Sequence, residues 1–392
     1  MIKAATGSSV DHLRALVGFD TVSHRSNLAL IDYLEHVLVP LGARLERIPD
    51  ATGDKANLMA SFGPSDTPGY ILSGHTDVVP VDGQNWASDP FVLTERDNRL
   101  YGRGTADMKG FLACCLAMAP QIAAASLLTP IHIAFSYDEE IGCLGVRDIV
   151  KRLSTWNARP LGCIVGEPTS MQIVIGHKAK RAFRGVVTGT PGHSSRAPCF
   201  VNAVDFATEF LGELRRMGRQ IEETSPRDNL FDVPFTTTHV GVIKGGEALN
   251  IVPERCVFEF EIRALPNEDI DAMIAHMQRF ADTELLPRMK AISPAADFQF
   301  ESLISYPGLE TSPEDEIVVL AKRLAAQNGH SKVAYGTEGG RFSKEGGIPT
   351  VVCGPGDIGR AHKADEYITR AELTECEAFI DALITQACTS AS

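Results

Sequence analysis

At 392 residues with 44% hydrophobic content, the chain is long enough to bury more than one core, and its 22% charged residues do not fit a disordered composition. A net charge of −13 argues against nucleic acid or an anionic membrane surface as a partner, since both need basic patches. Nine scattered cysteines, none in a CxxC pair, argue against a disulfide framework and for a reducing compartment.

Met1–Val10 shows no apolar stretch after a basic start, so no secretory leader is expected. No apolar run reaches the ~18 residues of a membrane span. The chain therefore reads as a cytoplasmic protein. Helical patterns are expected at Val10–Leu16 and Leu28–Leu41. Next come a buried strand at Tyr70–Ser73, an Ala-rich helix at Gly110–Ala125 and two more buried strands at Ile131–Phe135 and Cys163–Val165. Short apolar runs alternating with longer helical patterns indicate an α/β core.

The middle of the chain differs. From about Arg181 the order is strand Arg184–Thr188, helix Val201–Met217, strands Thr238–Ile243 and Cys256–Arg263, helix Asn267–Glu284 and strand Phe298–Ser302. In Cys256–Arg263, apolar Cys256, Phe258, Phe260 and Ile262 alternate with Val257, Glu259, Glu261 and Arg263, the period of a sheet solvated on one face. In the second helix, Ile270, Met273, Ile274, Met277 and Ala281 form one stripe. This order is the ferredoxin-like split βαβ pattern. The expected architecture is thus an α/β domain built from 1–179 and 305–392, with a smaller α+β domain, 180–304, inserted. The larger domain resumes with a helix at Glu316–Gln327, a strand at Thr350–Cys353 and a helix at Arg370–Ala387.

Side chains able to bind metal fall just beyond the strand ends. His75 and Asp77 follow the first core strand, Glu139 and Glu140 the second, and Glu167 the third. Ligands of open α/β sheets bind beyond the carboxyl ends of the strands. Asp107 lies in the glycine-rich Gly102-Arg-Gly-Thr-Ala-Asp-Met-Lys-Gly110, and His362 follows the turn at Gly354-Pro-Gly-Asp. Imidazoles and carboxylates suit zinc or a similar divalent ion at ~2.0–2.2 Å. The set is too rich for one tetrahedral ion and suits two ions ~3.5–4 Å apart, bridged by a shared carboxylate. Taken singly, each position has a blander reading: a strand-end histidine is usually structural, and Glu139-Glu140 would usually be a solvated loop. The shared edge is what binds them into one site.

The segments Ser73-Gly-His-Thr-Asp-Val-Val-Pro80, Tyr101-Gly-Arg-Gly-Thr-Ala-Asp-Met-Lys-Gly110, Asp138-Glu-Glu-Ile-Gly142 and Gly166-Glu-Pro-Thr169 resemble the dinuclear zinc deacylase and exopeptidase family. The likeness runs nearly the full chain, in the family's order. It implies a zinc-peptidase-like α/β catalytic domain with a ferredoxin-like lid and dimerisation domain, acting as an amidohydrolase on linear amides. It also implies two zinc ions per chain, with cobalt able to replace them, because both metals accept these ligands. Asp107 would bridge the ions, His75 and Glu167 would complete one set, and Glu140 and His362 the other. Asp77 would accept a hydrogen bond from the other nitrogen of His75, Glu139 would be the general base, and the peptide after Asp107 would be cis.

Within the insert, Gly189-Thr-Pro-Gly-His-Ser-Ser195 resembles the segment whose histidine, here His193, stabilises the developing oxyanion, usually from the partner subunit of a homodimer. The stretches Tyr335-Gly-Thr-Glu-Gly-Gly340, Gly347-Ile-Pro-Thr-Val-Val-Cys-Gly-Pro-Gly356 and Ala361-His-Lys-Ala-Asp-Glu-Tyr367 resemble members acting on a small N-acyl amino acid with a δ-ammonium. Relatives that remove succinyl groups have Ser or Asp after the corresponding threonine, whereas Glu338 follows Thr337 here. By this resemblance Arg263 would grip the α-carboxylate, Asn250 would contact substrate from the lid, and Thr337 and Glu338 would lie at the substrate, Glu338 meeting the ammonium. Arg263 could instead be a strand charge paired with Glu261 or Glu259. Removal of a succinyl group, hydrolysis of other N-acyl amino acids or of an acylated citrulline, dipeptide or carboxypeptide cleavage, and binding without turnover all stay open.

Overall fold

A computed structural model describes residues 7–389, so residues 1–6 of the segment read as lacking a leader lie outside it. The chain forms two compact units. One contains the residues up to Gly176, then Leu309–Lys332, then those from Thr337 on. The other comprises His177–Gly308 and Val333–Gly336.

The first unit is built on a sheet whose strands lie in the order Arg44–Pro49, Ala56–Phe62, Ile131–Ser136, Tyr70–His75, Gly162–Val165, Thr350–Val352, Val174–His177 and Leu309–Glu310, with Ser331–Val333 beside Val174–His177. Ile131–Ser136, Tyr70–His75, Gly162–Val165 and Thr350–Val352 run parallel to one another. They are the four buried runs of the sequence. Every residue of Ile131–Ser136 is buried, as parallel strands covered on both faces require. The helix Lys109–Ala124 packs against Ser9–Val17 and Arg370–Ala387 over this sheet. Arg370–Ala387 starts with a capping box, in which Thr369 accepts the Glu372 N–H and Glu372 accepts that of Thr369.

Several elements escaped the sequence reading. Arg44–Pro49 and Ala56–Phe62 pair antiparallel at one edge of the sheet. The helix Val146–Leu153 has only eight residues, half of them charged. A separate three-stranded sheet joins Tyr367–Thr369, Arg99–Tyr101 and Thr94–Arg96.

The second unit is a four-stranded antiparallel sheet with Ala203–Thr224 and Ile270–Phe280 packed on it. Its spatial order is Thr237–Gly245, Arg255–Ala264, Ala179–Thr188, Asp297–Tyr306. In chain order that is second, third, first, fourth, the ferredoxin-like arrangement. Along Arg255–Ala264, Cys256, Phe258, Phe260, Ile262 and Ala264 are buried and the residues between them half-buried. Phe210 of the long helix packs on Phe258, Phe260, Phe298 and Phe300 at centroid distances of 5.0 to 5.6 Å. The helix expected at Val201–Met217 begins later because Asn202 caps it, accepting the N–H groups of Val204 and Asp205. It also runs on to Thr224.

Candidate metal centre

The parallel strands of the first unit end at one edge, and the predicted ligands sit there. His75 is the last residue of Tyr70–His75 and is fully buried. Glu139 and Glu140 follow Ile131–Ser136, and Glu167 follows Gly162–Val165. Between that last strand and Glu167, Gly166 is obligatory: a Cβ there would lie 2.1 Å from the Phe111 ring. Asp107 directly precedes Met108, which caps the helix Lys109–Ala124, and the Asp107–Met108 peptide is cis. His362 lies on a loop after Thr350–Val352 with its side chain half exposed.

Asp107 stands between the two imidazoles. Its Oδ1 is 3.1 Å from His75 Nε2 and its Oδ2 is 3.3 Å from His362 Nε2. Glu167 Oε1 is 3.7 Å from His75 Nε2, and Glu140 Oε2 is 3.1 Å from His362 Nε2. Each imidazole therefore has Asp107 and one glutamate beside it, Glu167 at His75 and Glu140 at His362. Donor atoms of His75, Asp107 and Glu140 also lie within 4.8 Å of one another, as do those of His75, Glu139 and Glu167.

Asp77 departs in detail from its expected role. His75 Nδ1 is nearest the backbone carbonyl of Asp77, at 2.9 Å, while the Asp77 carboxylate stands 3.5 Å away. That carboxylate accepts the Ser23 hydroxyl at 2.7 Å and the backbone N–H groups of Glu139 and Glu140 at 3.0 and 3.3 Å. Asp77 thus orients the His75 ring chiefly through its main chain and fixes the Glu139-Glu140 loop through its side chain.

The electrostatics show a site crowded with negative charge. Burial pushes the Glu139 carboxyl up to about 8, and the neighbouring Glu140 adds to the shift. Burial and the charge of Asp107 bring Glu140 to about 7, and the same two causes raise Glu167 well above the usual range. Asp107 goes the other way: burial opposes it, but hydrogen bonds from His362 and His75 hold its carboxyl down. Hydrogen bonds to Asp107 and Glu140 raise His362 to about 10. Glu140 Oε1 is buried with no hydrogen-bond partner. Clustered carboxylates, paired imidazoles and an unsatisfied buried oxygen fit divalent cations of the zinc type.

A second carboxylate holds the Asp107 loop. Fully buried Glu366 accepts the N–H groups of Gly104, Ala106 and Asp107 at 2.8 to 3.0 Å, and Arg103 Nη1 at 2.7 Å. Arg103 pairs with Glu366, and Lys109 Nζ donates to the carbonyls of Leu16 and Phe19. Glu366 itself was overlooked, although it lies four residues past His362 in a motif already singled out.

Thr337 and Glu338, expected at the substrate, are both fully buried. Thr337 Oγ1 accepts the Gly339 N–H at 3.0 Å. Glu338 accepts the Ser73 and Ser136 hydroxyls, each at 2.6 Å, so both its oxygens are engaged. It ties together the two strands that lead to His75 and Glu139 and is not placed to meet a substrate ammonium.

In the second unit, exposed His193 accepts the Ser195 N–H on Nδ1 at 3.2 Å, so in the neutral ring Nε2 carries the proton. Asn250 is exposed, and its carbonyl accepts the Ser194 N–H at 3.0 Å. Arg263 Nε pairs with Glu261 at 2.7 Å, and its Nη1 lies 3.5 Å from the Ala334 carbonyl.

The family model of Peptidase family M20/M25/M40 matches residues 71–386. An acetylornithine deacetylase of Pasteurella multocida (strain Pm70) is 33% identical over 390 residues, covering 99% of this chain and 96% of its own. One from Myxococcus xanthus is 34% identical over 381 residues, covering 96% of each. Among solved structures, an M20 family metallo-carboxypeptidase from Sulfolobus solfataricus superposes with a TM-score of 0.76 at 17% identity, covering 97% of this chain and 99% of that one. A Bacillus subtilis protein described as a dinuclear metal binding peptidase of the M20 family gives 0.66 at 14% identity, covering 97% of each. The chain belongs to Peptidase family M20/M25/M40.

Proposed function

We propose that this chain hydrolyses the N-acetyl amide of N2-acetyl-L-ornithine, giving L-ornithine and acetate, a step of arginine biosynthesis. One observation carries the reading: a buried aspartate, Asp107, divides its two oxygens between two histidine–carboxylate sets. Full-length relatives bearing the name acetylornithine deacetylase favour this substrate class over others.

In this reading His75, Asp107 and Glu167 hold one divalent ion, and His362, Asp107 and Glu140 the other. Zinc is the metal proposed, with cobalt a competent substitute. When bound, the ions supply Lewis acidity toward the amide carbonyl and the attacking water. Glu139 takes a proton from that water and returns it to the leaving nitrogen. His193, with its proton on Nε2, donates to the developing oxyanion from the partner copy of a homodimer formed through the inserted domain. Arg263 binds the substrate carboxylate and Asn250 contacts the substrate from the lid. The enzyme works in the cytoplasm.

Peptides are the competing substrate class, because a carboxypeptidase shares the fold. The test is a panel of acetylornithine, succinyl-diaminopimelate, acetylcitrulline, acetylmethionine and dipeptides, assayed with and without chelator. Acetylornithine should give the highest kcat/KM, chelation should abolish turnover, and zinc or cobalt should restore it. Preference for another member of the panel, or turnover that survives chelation, overturns the reading.

A further inference from the structure

Glu139 has a neighbour that the family motif does not explain. The Cys143 thiol donates to Glu139 Oε1 at 3.1 Å, and Cys143 is 1% exposed. The contact is built by the backbone. Gly142 and Cys143 both donate their N–H groups to the Glu139 carbonyl, at 2.9 and 2.8 Å. This turns the chain back on itself and brings the Cys143 side chain over the Glu139 carboxylate.

The turn carries a conformational cost. Cys143 has φ +54, in the left-handed region that disfavours residues with a Cβ. Glycine would relieve that strain, yet a side chain is kept, and its one polar atom points at Glu139. The loop around it is pinned. Leu144 N–H donates to the Asp138 carbonyl and Gly145 N–H to that of Tyr137, both at 3.0 Å. Asp138 is paired with Lys55, and Arg341 Nη2 reaches the Gly142 carbonyl at 3.3 Å. Burial, reinforced by the Glu139 charge, raises the thiol well above its usual range, so it remains an S–H donor.

We infer that Cys143 is a positioning residue, whose thiol fixes one oxygen of Glu139 so that the other is held toward the reacting water. A carboxylate free to rotate would spend part of its time turned away. This inference rests on the reading of Glu139 as the general base.

The experiment compares kcat and KM for acetylornithine in the metal-loaded full chain and in Cys143→Ala, Cys143→Gly, Cys143→Ser and Glu139→Gln, with bound metal counted in each. Loss of one hydrogen bond to a charged group should lower kcat roughly tenfold in Cys143→Ala, with KM and metal content unchanged. Cys143→Gly should lose as much, even though it relaxes the backbone. Cys143→Ser, whose hydroxyl also donates, should recover most of the rate. Adding Cys143→Ala to Glu139→Gln should cost nothing further, because the thiol acts only through that carboxylate. Unchanged kcat in both the alanine and glycine variants, or a serine variant as slow as alanine, overturns the inference. Full activity in Glu139→Gln would instead overturn the assignment of the base.

Discussion

His362 Nε2 lies 3.3 Å from Asp107 Oδ2, on the side of the carboxylate opposite His75. The two residues come from distant parts of the chain, and Glu366 links them. It accepts the Asp107 N–H while sitting on the same segment as His362.

Asp107→Asn keeps the shape and removes the bridging charge. Metal-ion assistance is worth several kcal/mol, so kcat/KM should fall about 10³-fold or more. Bound zinc, counted by elemental analysis, should drop below two per chain. A variant that keeps both its metal and its rate would show that Asp107 is not the bridge.

Glu338 should matter for stability and not for substrate choice. Glu338→Ala leaves the Ser73 and Ser136 hydroxyls without their acceptor in a fully buried position. Hydrogen bonds to a charged group contribute about 1.5–3 kcal/mol each, so the loss should be on the order of 3 kcal/mol in urea unfolding. The ratio of kcat/KM for acetylornithine to that for acetylmethionine should stay constant. A ratio that collapses in Glu338→Gln would return this carboxylate to the substrate.

His132 should make folding sensitive to acid. Burial, aided by the nearby Arg44 charge, lowers its imidazole from 6.5 to about 4, while Nδ1 contacts the Ser61 hydroxyl at 2.8 Å. Between those values the unfolded chain takes up a proton that the native state refuses. Stability is therefore full above pH 6.5 and is lost as pH falls toward 4, by on the order of 3 kcal/mol from this group. In His132→Gln that part of the slope should vanish when urea midpoints at pH 7 and pH 4.5 are compared. Equal slopes in the two proteins would mean that His132 is protonated in the native state.

Much of this was legible in advance. Strands covered on both faces read as mainly apolar runs, and all four central strands did, with His132 the one imidazole within those runs. The alternation along Cys256–Arg263 marked a sheet with one buried face. The edge strand Arg44–Pro49 gave no such signal, because its residues are only half-buried or exposed. Asp77 stands two residues after His75 in the chain, but it is the packing of the Glu139 loop against its carboxylate that leaves its backbone carbonyl nearest the ring.

Sequence by itself determined the central strands and the long helices, the ferredoxin-like order and the edge where imidazoles and carboxylates gather, because periodicity and strand-end position are local properties of the chain. Only the tertiary structure decided what each polar side chain touches. Glu338 in its glycine-rich segment looked like a group facing a ligand, yet Ser73 and Ser136 claim both its oxygens. Cys143 is in sequence one of nine scattered cysteines, yet a left-handed turn aims it at Glu139. A hydrogen bond is settled by the position of the partner atom, and those partners were brought there by the packing of distant strands or by a backbone turn that residue type alone does not specify.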